Sequence, residues 1–195
     1  MPRNNQEFPG HAWSILIVSD SPRFDAVVKK SLKGFITIDA RKSCALARRC
    51  ILERDYDIVV IRSPLSDERG EELALDIAGR SSASVLIVAP QDYFEDVAEM
   101  VTDSGIFVIA EASFIAFIDK AIRYLVAIQN RIYRFKYQAA RALENAEEIR
   151  VVSKAKLYLI EKKGMSEDEA HRIIGKTAMN NGISRRQAAE RILEE

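Results

Sequence analysis

Five short runs of apolar, mostly β-branched residues recur along the first half of the chain: SILIV at 14–18, FITI at 35–38, DIVVI at 57–61, SVLIV at 84–88 and IFVI at 106–109. Runs this short, apolar at consecutive rather than alternate positions, are what strands buried on both faces require. The amphipathic stretches between them, at 22–33, 42–54, 67–79 and 92–103, predict helices. Strand and helix in alternation predict an α/β domain: a five-stranded, parallel, doubly wound sheet with right-handed crossovers.

A different period takes over from about Ala112. The segment FIAFIDKAIRYLVAIQNRIYRFKYQAARALENAEEIR contains neither Gly nor Pro. Within it Ile118, Ile122, Leu125, Gln129, Ile132, Lys136, Ala139, Leu143 and Ala146 keep the 4-3 spacing of a coiled-coil seam. This predicts a linker helix over 120–147 and a parallel homodimer, with the polar Gln129 and Lys136 fixing register. The competing reading is a long helix packed on its own domain. Beyond it, a helix over 148–162 stops at Gly164, and Ser166 with Glu169 and Ser184 with Gln187 have the spacing of capping boxes that start two more. The expected organisation is a tail at 1–13, an α/β domain at 14–119, a coiled-coil linker at 120–147 and a small three-helix C-terminal domain at 148–195.

Composition narrows the partners. The 195 residues are 48% hydrophobic and 30% charged, an ordinary soluble composition. No apolar run approaches the roughly 18 residues of a membrane span, and no cleavable apolar leader opens the chain, so a cytoplasmic protein with no membrane partner is expected. The formal charge of zero conceals an asymmetry: Lys and Arg number 13 against 19 Asp and Glu over residues 1–119, and 16 against 10 over 120–195. An acidic half and a basic half should meet different partners. Cys44 and Cys50 lie six apart on one expected helix, on different faces, and read as buried thiols rather than a disulfide or metal pair. His11 and His171 are the only histidines, which gives no support to a Ser-His-Asp triad or a histidine metal cluster.

The stretches ILIVSDSPRF and YDIVVIRSPLSDERG, the latter ending on Gly70, carry a resemblance. Over about residues 14–125 the chain resembles the receiver domains of response regulators, which are CheY/flavodoxin-like in fold. The resemblance implies a phosphate-accepting carboxylate where the third strand ends and an acidic pair after the first strand to hold Mg²⁺. Arg62 stands at the acceptor position, and the pair is Ser19 and Asp20. The hydroxyl position after the fourth strand is Ala89, and the lysine position after the fifth falls near Glu111. A guanidinium is always charged and cannot be phosphorylated as an aspartate is. The chain therefore resembles a pseudo-receiver, a degenerate site with no phosphoacceptor, metal, cofactor or catalytic residue. Arg62 has two readings here: a side chain snorkelling to solvent, or a fixed positive charge paired with Asp20.

The tail AKLYLIEKKGMSEDEAHRIIGKTAMNNGISRRQAAERIL resembles the ANTAR domain, the RNA-binding module of transcription antitermination regulators. The matching positions are Ala155, Lys156, Leu159, Gly164, Ser166, Glu169, Ala170, Ile174, Ala178, Met179 and Ala189. Leu157, Gly175 and Arg185 depart from the family, so contacts made by those residues cannot be carried over. The helical pattern turns Val152, Ala155 and Leu159 inward with Ala170, Ile173, Ile174 and Thr177. It leaves Lys156, Lys163, Arg172, Lys176, Arg185 and Arg186 for phosphate contacts, and His171 for solvent or for stacking on an unpaired base. The resemblance implies a non-enzymatic regulator whose dimer binds hairpins in mRNA leaders. Two alternatives stay open: a DNA-binding helix-turn-helix regulator using residues 184–193, and an adaptor whose acidic half binds a sensor or ligand-binding protein.

Overall fold

The structure, a computed structural model, describes residues 12–194. His11 and all but the last two residues of the expected 1–13 tail lie outside the described residues. Five strands, β1 (Ser14–Val18), β2 (Thr37–Arg41), β3 (Ile58–Arg62), β4 (Ser84–Ala89) and β5 (Phe107–Ala110), form one parallel sheet in the order β2-β1-β3-β4-β5. Their crossovers carry α1 (Pro22–Lys30), α2 (Cys44–Glu53), α3 (Glu71–Arg80) and α4 (Phe94–Val101).

Alternate side chains of β1, β3 and β4 enter different cores. Ile15, Ile17, Ile58, Val60, Leu86 and Val88 pack with Phe24 and Val28 of α1 and with Phe114, Ile118, Ile122 and Leu125. Leu16, Val18, Val59, Ile61, Val85 and Ile87 pack on the other face with residues of α2, α3 and α4. Burial on both faces is why these strands read as continuous apolar runs. The second strand differs: it begins at Thr37, two residues later than the apolar run FITI suggests, and Ile36 is 75% exposed. As an edge strand hydrogen-bonded only to β1, it needs no run of apolar residues, and Thr37, Asp39 and Arg41 serve as well.

One helix, α5, runs from Phe114 to Lys163, 50 residues without a break. The chain divides into two compact units between Tyr133 and Arg134. The first unit thus claims more of α5 than the expected boundary at 119. The reason lies in the seam: Ile118, Ile122, Leu125 and Gln129 are each under 5% exposed, the first three in the core of their own domain. Gln129 Nε2 donates to Ser82 O at 2.6 Å and to Ser84 Oγ at 3.0 Å, so its polarity is used within the domain. Leu143, later on the same seam, is 73% exposed.

The second unit closes around Val151, Ala155 and Leu159 of α5, Ala170, Ile174 and Ala178 of α6 (Glu167–Asn181), and Ala188, Ala189 and Ile192 of α7 (Arg185–Glu194). Five alanines in this core let the helices approach closely. Both capping boxes form: Ser166 Oγ accepts from Glu169 N at 3.3 Å while Glu169 Oε2 accepts from Ser166 N at 2.9 Å, and Ser184 and Gln187 exchange the same pair at 3.1 Å each. Among the described residues, no helix is long and apolar enough to cross a membrane.

Candidate functional site

The carboxyl ends of the parallel strands gather the degenerate site. Val18 pairs with Ile61, Arg62 with Val88 and Ala89 with Ala110, so the residues at and just beyond these ends, Ser19, Asp20, Arg62, Ala89 and Glu111, converge on one rim of the sheet. Open parallel sheets bind ligands at this rim.

Arg62 bridges two acids. Its Nη1 donates to Asp20 Oδ1 at 3.1 Å and its Nη2 to Glu111 Oε1 at 3.1 Å. The planar guanidinium holds both carboxylates at once, one on each terminal nitrogen, which a lysine ammonium does with less geometric definition. Ser19 is 2% exposed and turns its hydroxyl to its own loop, accepting from Ser21 N at 2.9 Å. Ala89 is fully buried. Asp25, one turn into α1, has a carboxyl held above the usual carboxylate value chiefly by burial, against a hydrogen bond from Ser19 that lowers it.

The loop between β3 and α3 is tied down on two sides. Asp67 accepts from Cys44 N at 3.1 Å and Ala45 N at 3.0 Å, and Ser43 Oγ accepts from Leu46 N at 3.3 Å. The first three amides of α2, which have no partner inside the helix, are thereby satisfied. Those bonds, Ala45's above all, hold the Asp67 carboxyl below its usual value. Glu68 receives both terminal nitrogens of Arg48, and the Arg69 guanidinium lies 5.5 Å from the Tyr93 ring centroid. Gly70 closes the loop at φ +97°, where a Cβ would also stand 2.9 Å from Ile61 Cγ2.

Cys44, Asp67 and Glu68 bring potential metal-ligand atoms within 4.8 Å of one another. Their chemistry is already committed: Asp67 caps α2, Glu68 pairs with Arg48, and burial pushes the Cys44 thiol up to about 12. Such a thiol is protonated at neutral pH.

At the opposite end of the strands lies a group the sequence reading did not assemble. The Asp57 carboxylate accepts from Ser14 N at 2.7 Å and Ser14 Oγ at 2.9 Å, and from the Tyr133 hydroxyl of α5. Trp13 packs edge-on against the Tyr133 ring at 5.9 Å. The signal in the sequence was the polar residue opening each of two adjacent buried strands. Tyr133 itself, in a helix of unknown orientation, gave none.

In the second unit the expected RNA-contacting residues separate into groups. Arg172 and Lys176 are exposed one turn apart on α6, with His171 also exposed beside them. Lys163 ends α5 in solvent. Lys156 is engaged, its Nζ 3.2 Å from Glu167 Oε1 at the start of α6. Arg185 is exposed at the start of α7, while Arg186 donates to Glu190 Oε1 at 2.8 Å and lies within the field of Glu147 and Glu144.

Comparisons with known proteins agree with both halves. Residues 140–193 match the ANTAR domain family. The fold is similar to the signal receiver domain of an HD domain-containing protein from Pseudomonas fluorescens, with TM-score 0.57 and 15% identity over 67% of this chain and 98% of that one. It is also similar to a CheY-like response regulator receiver domain from Methanospirillum hungatei (TM-score 0.55, 17% identity, 62% and 98% covered). A third likeness is to the isolated REC domain of RcsB from Salmonella enterica (TM-score 0.52, 14% identity, 60% and 90% covered). At these identities the structural likenesses establish the fold alone. No curated protein matches the chain. The chain thus joins a first unit with the fold of receiver domains to a segment, residues 140–193, that matches the ANTAR domain family.

Proposed function

We propose that this protein is an RNA-binding transcription antitermination regulator, acting as a dimer on hairpin loops of nascent mRNA and independent of phosphorylation. The ANTAR match over residues 140–193 carries the RNA assignment. The exposed cations Arg172 and Lys176 support it, because clustered Lys and Arg supply the phosphate attraction on which nucleic-acid affinity chiefly rests. His171 is the candidate for stacking on a loop base, with Lys156, Lys163, Arg185 and Arg186 as further candidate phosphate contacts.

Phosphorylation independence rests on Arg62. A fixed cation between Asp20 and Glu111 occupies the rim where the resemblance puts the acceptor carboxylate, and it holds the loops after β1 and β5 together in one arrangement. A regulator built this way needs another input, and the acidic first half is the proposed surface for a sensor or ligand-binding protein. Dimerisation is assigned to the part of α5 beyond the first unit, where Leu143 and Ile149 are 73% and 67% exposed.

The deciding experiment is a gel shift of the full chain with hairpin RNAs of randomised loop sequence and with duplex DNA of matched length. Retention of the RNA pool at physiological salt is the expected result. Retention of the duplex alone would replace this reading with DNA binding through α7.

A further inference from the structure

Gly175 occupies the ninth of the fifteen positions of α6, the interior of the helix. Glycine is unfavourable there relative to alanine, because it surrenders more backbone freedom and buries no side chain. Where the fold demands such a glycine, the reason is a left-handed backbone or another segment pressing on the missing Cβ. Neither applies. Gly175 is not among the positive-φ glycines, and a Cβ built on it would meet nothing within 4 Å.

The surroundings indicate what the notch is for. Residues three and four apart on a helix are surface neighbours, so Gly175 lies between His171 and Arg172 on one side and Met179 on the other, with Lys176 adjacent in sequence. His171, Arg172 and Lys176 are exposed, and Met179 is 78% exposed. The helix thus presents a lane of bare backbone flanked by two cations and two side chains able to lie against a base or sugar. We propose that Gly175 is a contact-determining residue of the RNA site: the sugar–phosphate backbone of the bound strand passes directly over it, closer than any side chain allows, while Arg172 and Lys176 take the flanking phosphates. The contact is van der Waals and Cα–H to oxygen, since the amide and carbonyl there belong to the helix ladder. This inference rests on the RNA-binding reading and adds the strand's path across α6.

The test separates stability from binding, because the two move in opposite directions. Gly175→Ala and Gly175→Leu, made in the full chain, should raise the melting temperature, as helix formers replacing glycine in open space. Affinity for hairpins selected by the wild-type protein from a randomised-loop pool should fall, by about fivefold for alanine and further for leucine, a factor of ten being about 1.4 kcal/mol. Gly79→Ala is the control. Gly79 also has open space at its missing Cβ but lies in α3 of the other unit, and its replacement should leave hairpin affinity unchanged. Unchanged or tighter binding by both Gly175 variants would overturn the inference and leave the RNA reading intact. A wild-type chain that selects no hairpin would overturn both.

Discussion

Arg62 Nη2 lies 3.1 Å from Glu111 Oε1, joining the end of the third strand to the residue that follows the fifth. With Asp20 on the other nitrogen, one cation serves two carboxylates that would otherwise repel. All three side chains are partly exposed, 26% for Arg62, 39% for Asp20 and 48% for Glu111, so each pair is worth about 0–1 kcal/mol. Arg62→Ala should therefore cost only about 1 kcal/mol in urea unfolding, and less at high salt. The larger effect should be local: faster amide exchange in the segments after Asp20 and Glu111, with the rest of the sheet unchanged. Incubation of the wild type with acetyl phosphate and Mg²⁺ should add no phosphoryl mass, and a modified receiver peptide in mass spectrometry would refute the pseudo-receiver reading.

Tyr133 stands where the first unit ends, and its hydroxyl donates to a buried Asp57. Removing one hydrogen-bond partner of a buried carboxylate costs about 1–3 kcal/mol. Tyr133→Phe keeps the ring against Trp13 and removes only the hydroxyl, so a loss within that range is expected. Hydrogen exchange should rise in α5 upstream of Tyr133, where Gln129 makes the neighbouring tie to Ser82 and Ser84. Exchange unchanged in α5 would show that the Tyr133–Asp57 bond does not hold the helix.

Burial separates two tests of dimerisation that the seam alone treats as equivalent. Leu125 is 4% exposed in the core of the first unit, so Leu125→Asp should unfold that unit through a buried charge. Leu143 is 73% exposed, so Leu143→Asp should leave the circular dichroism spectrum intact and shift sedimentation from dimer to monomer. A wild-type chain already monomeric at micromolar concentration would remove the coiled-coil contact from the proposal.

Asp67 provides a pH dependence with a definite sign. Its folded-state value is lowered by the α2 amides, so its contribution is fully present above the unfolded value of about 3.9 and is lost as pH falls through the lower folded value. Asp67 is exposed, which limits the effect. Asp67→Ala should destabilise by no more than about 1 kcal/mol at pH 7, and the gap to wild type should close in denaturant titrations below pH 4.

The fold was legible where one physical demand governs the pattern. Strands buried on both faces leave apolar runs such as IVVI before Arg62, and capping boxes leave fixed spacings such as Ser166 to Glu169. The edge strand begins two residues later than its apolar run because pairing on one side only lets Thr37 and Arg41 take part. The seam from Ile118 to Ala146 could not say by itself which of its apolar residues meet the sheet, since a 4-3 repeat suits a partner helix and a sheet face alike. Within the degenerate site, Arg62, Asp20 and Glu111 were each visible from strand ends. The pairing of Arg62 with Asp20 is one of the two sequence readings; the addition of Glu111 to the same guanidinium, like the clamp of Asp67, Glu68 and Arg69, depends on loops meeting in space, which local patterning does not encode.

The final prediction uses an ion pair that competes with RNA. Lys156 Nζ is 3.2 Å from Glu167 Oε1, and Glu167 is 76% exposed at the start of α6, so this lysine reaches the RNA only by giving up its partner. Glu167→Gln should free the lysine and remove a negative charge facing the phosphates, tightening hairpin binding and steepening its salt dependence. For single strands the slope of log K against log salt is roughly −0.7 per phosphate neutralised, so one newly engaged lysine should add somewhat under one unit. Arg172→Ala and Lys176→Ala should each flatten the slope by a similar amount. His171→Ala, if the imidazole stacks on a loop base, should cost about 1–3 kcal/mol with the slope nearly unchanged. Glu167 lies outside the Ser166–Glu169 capping box, so its replacement leaves the start of α6 satisfied and the change can be assigned to binding. Equal affinity and slope in wild type and Glu167→Gln, measured by fluorescence anisotropy between 50 and 300 mM salt, would place Lys156 outside the RNA contact.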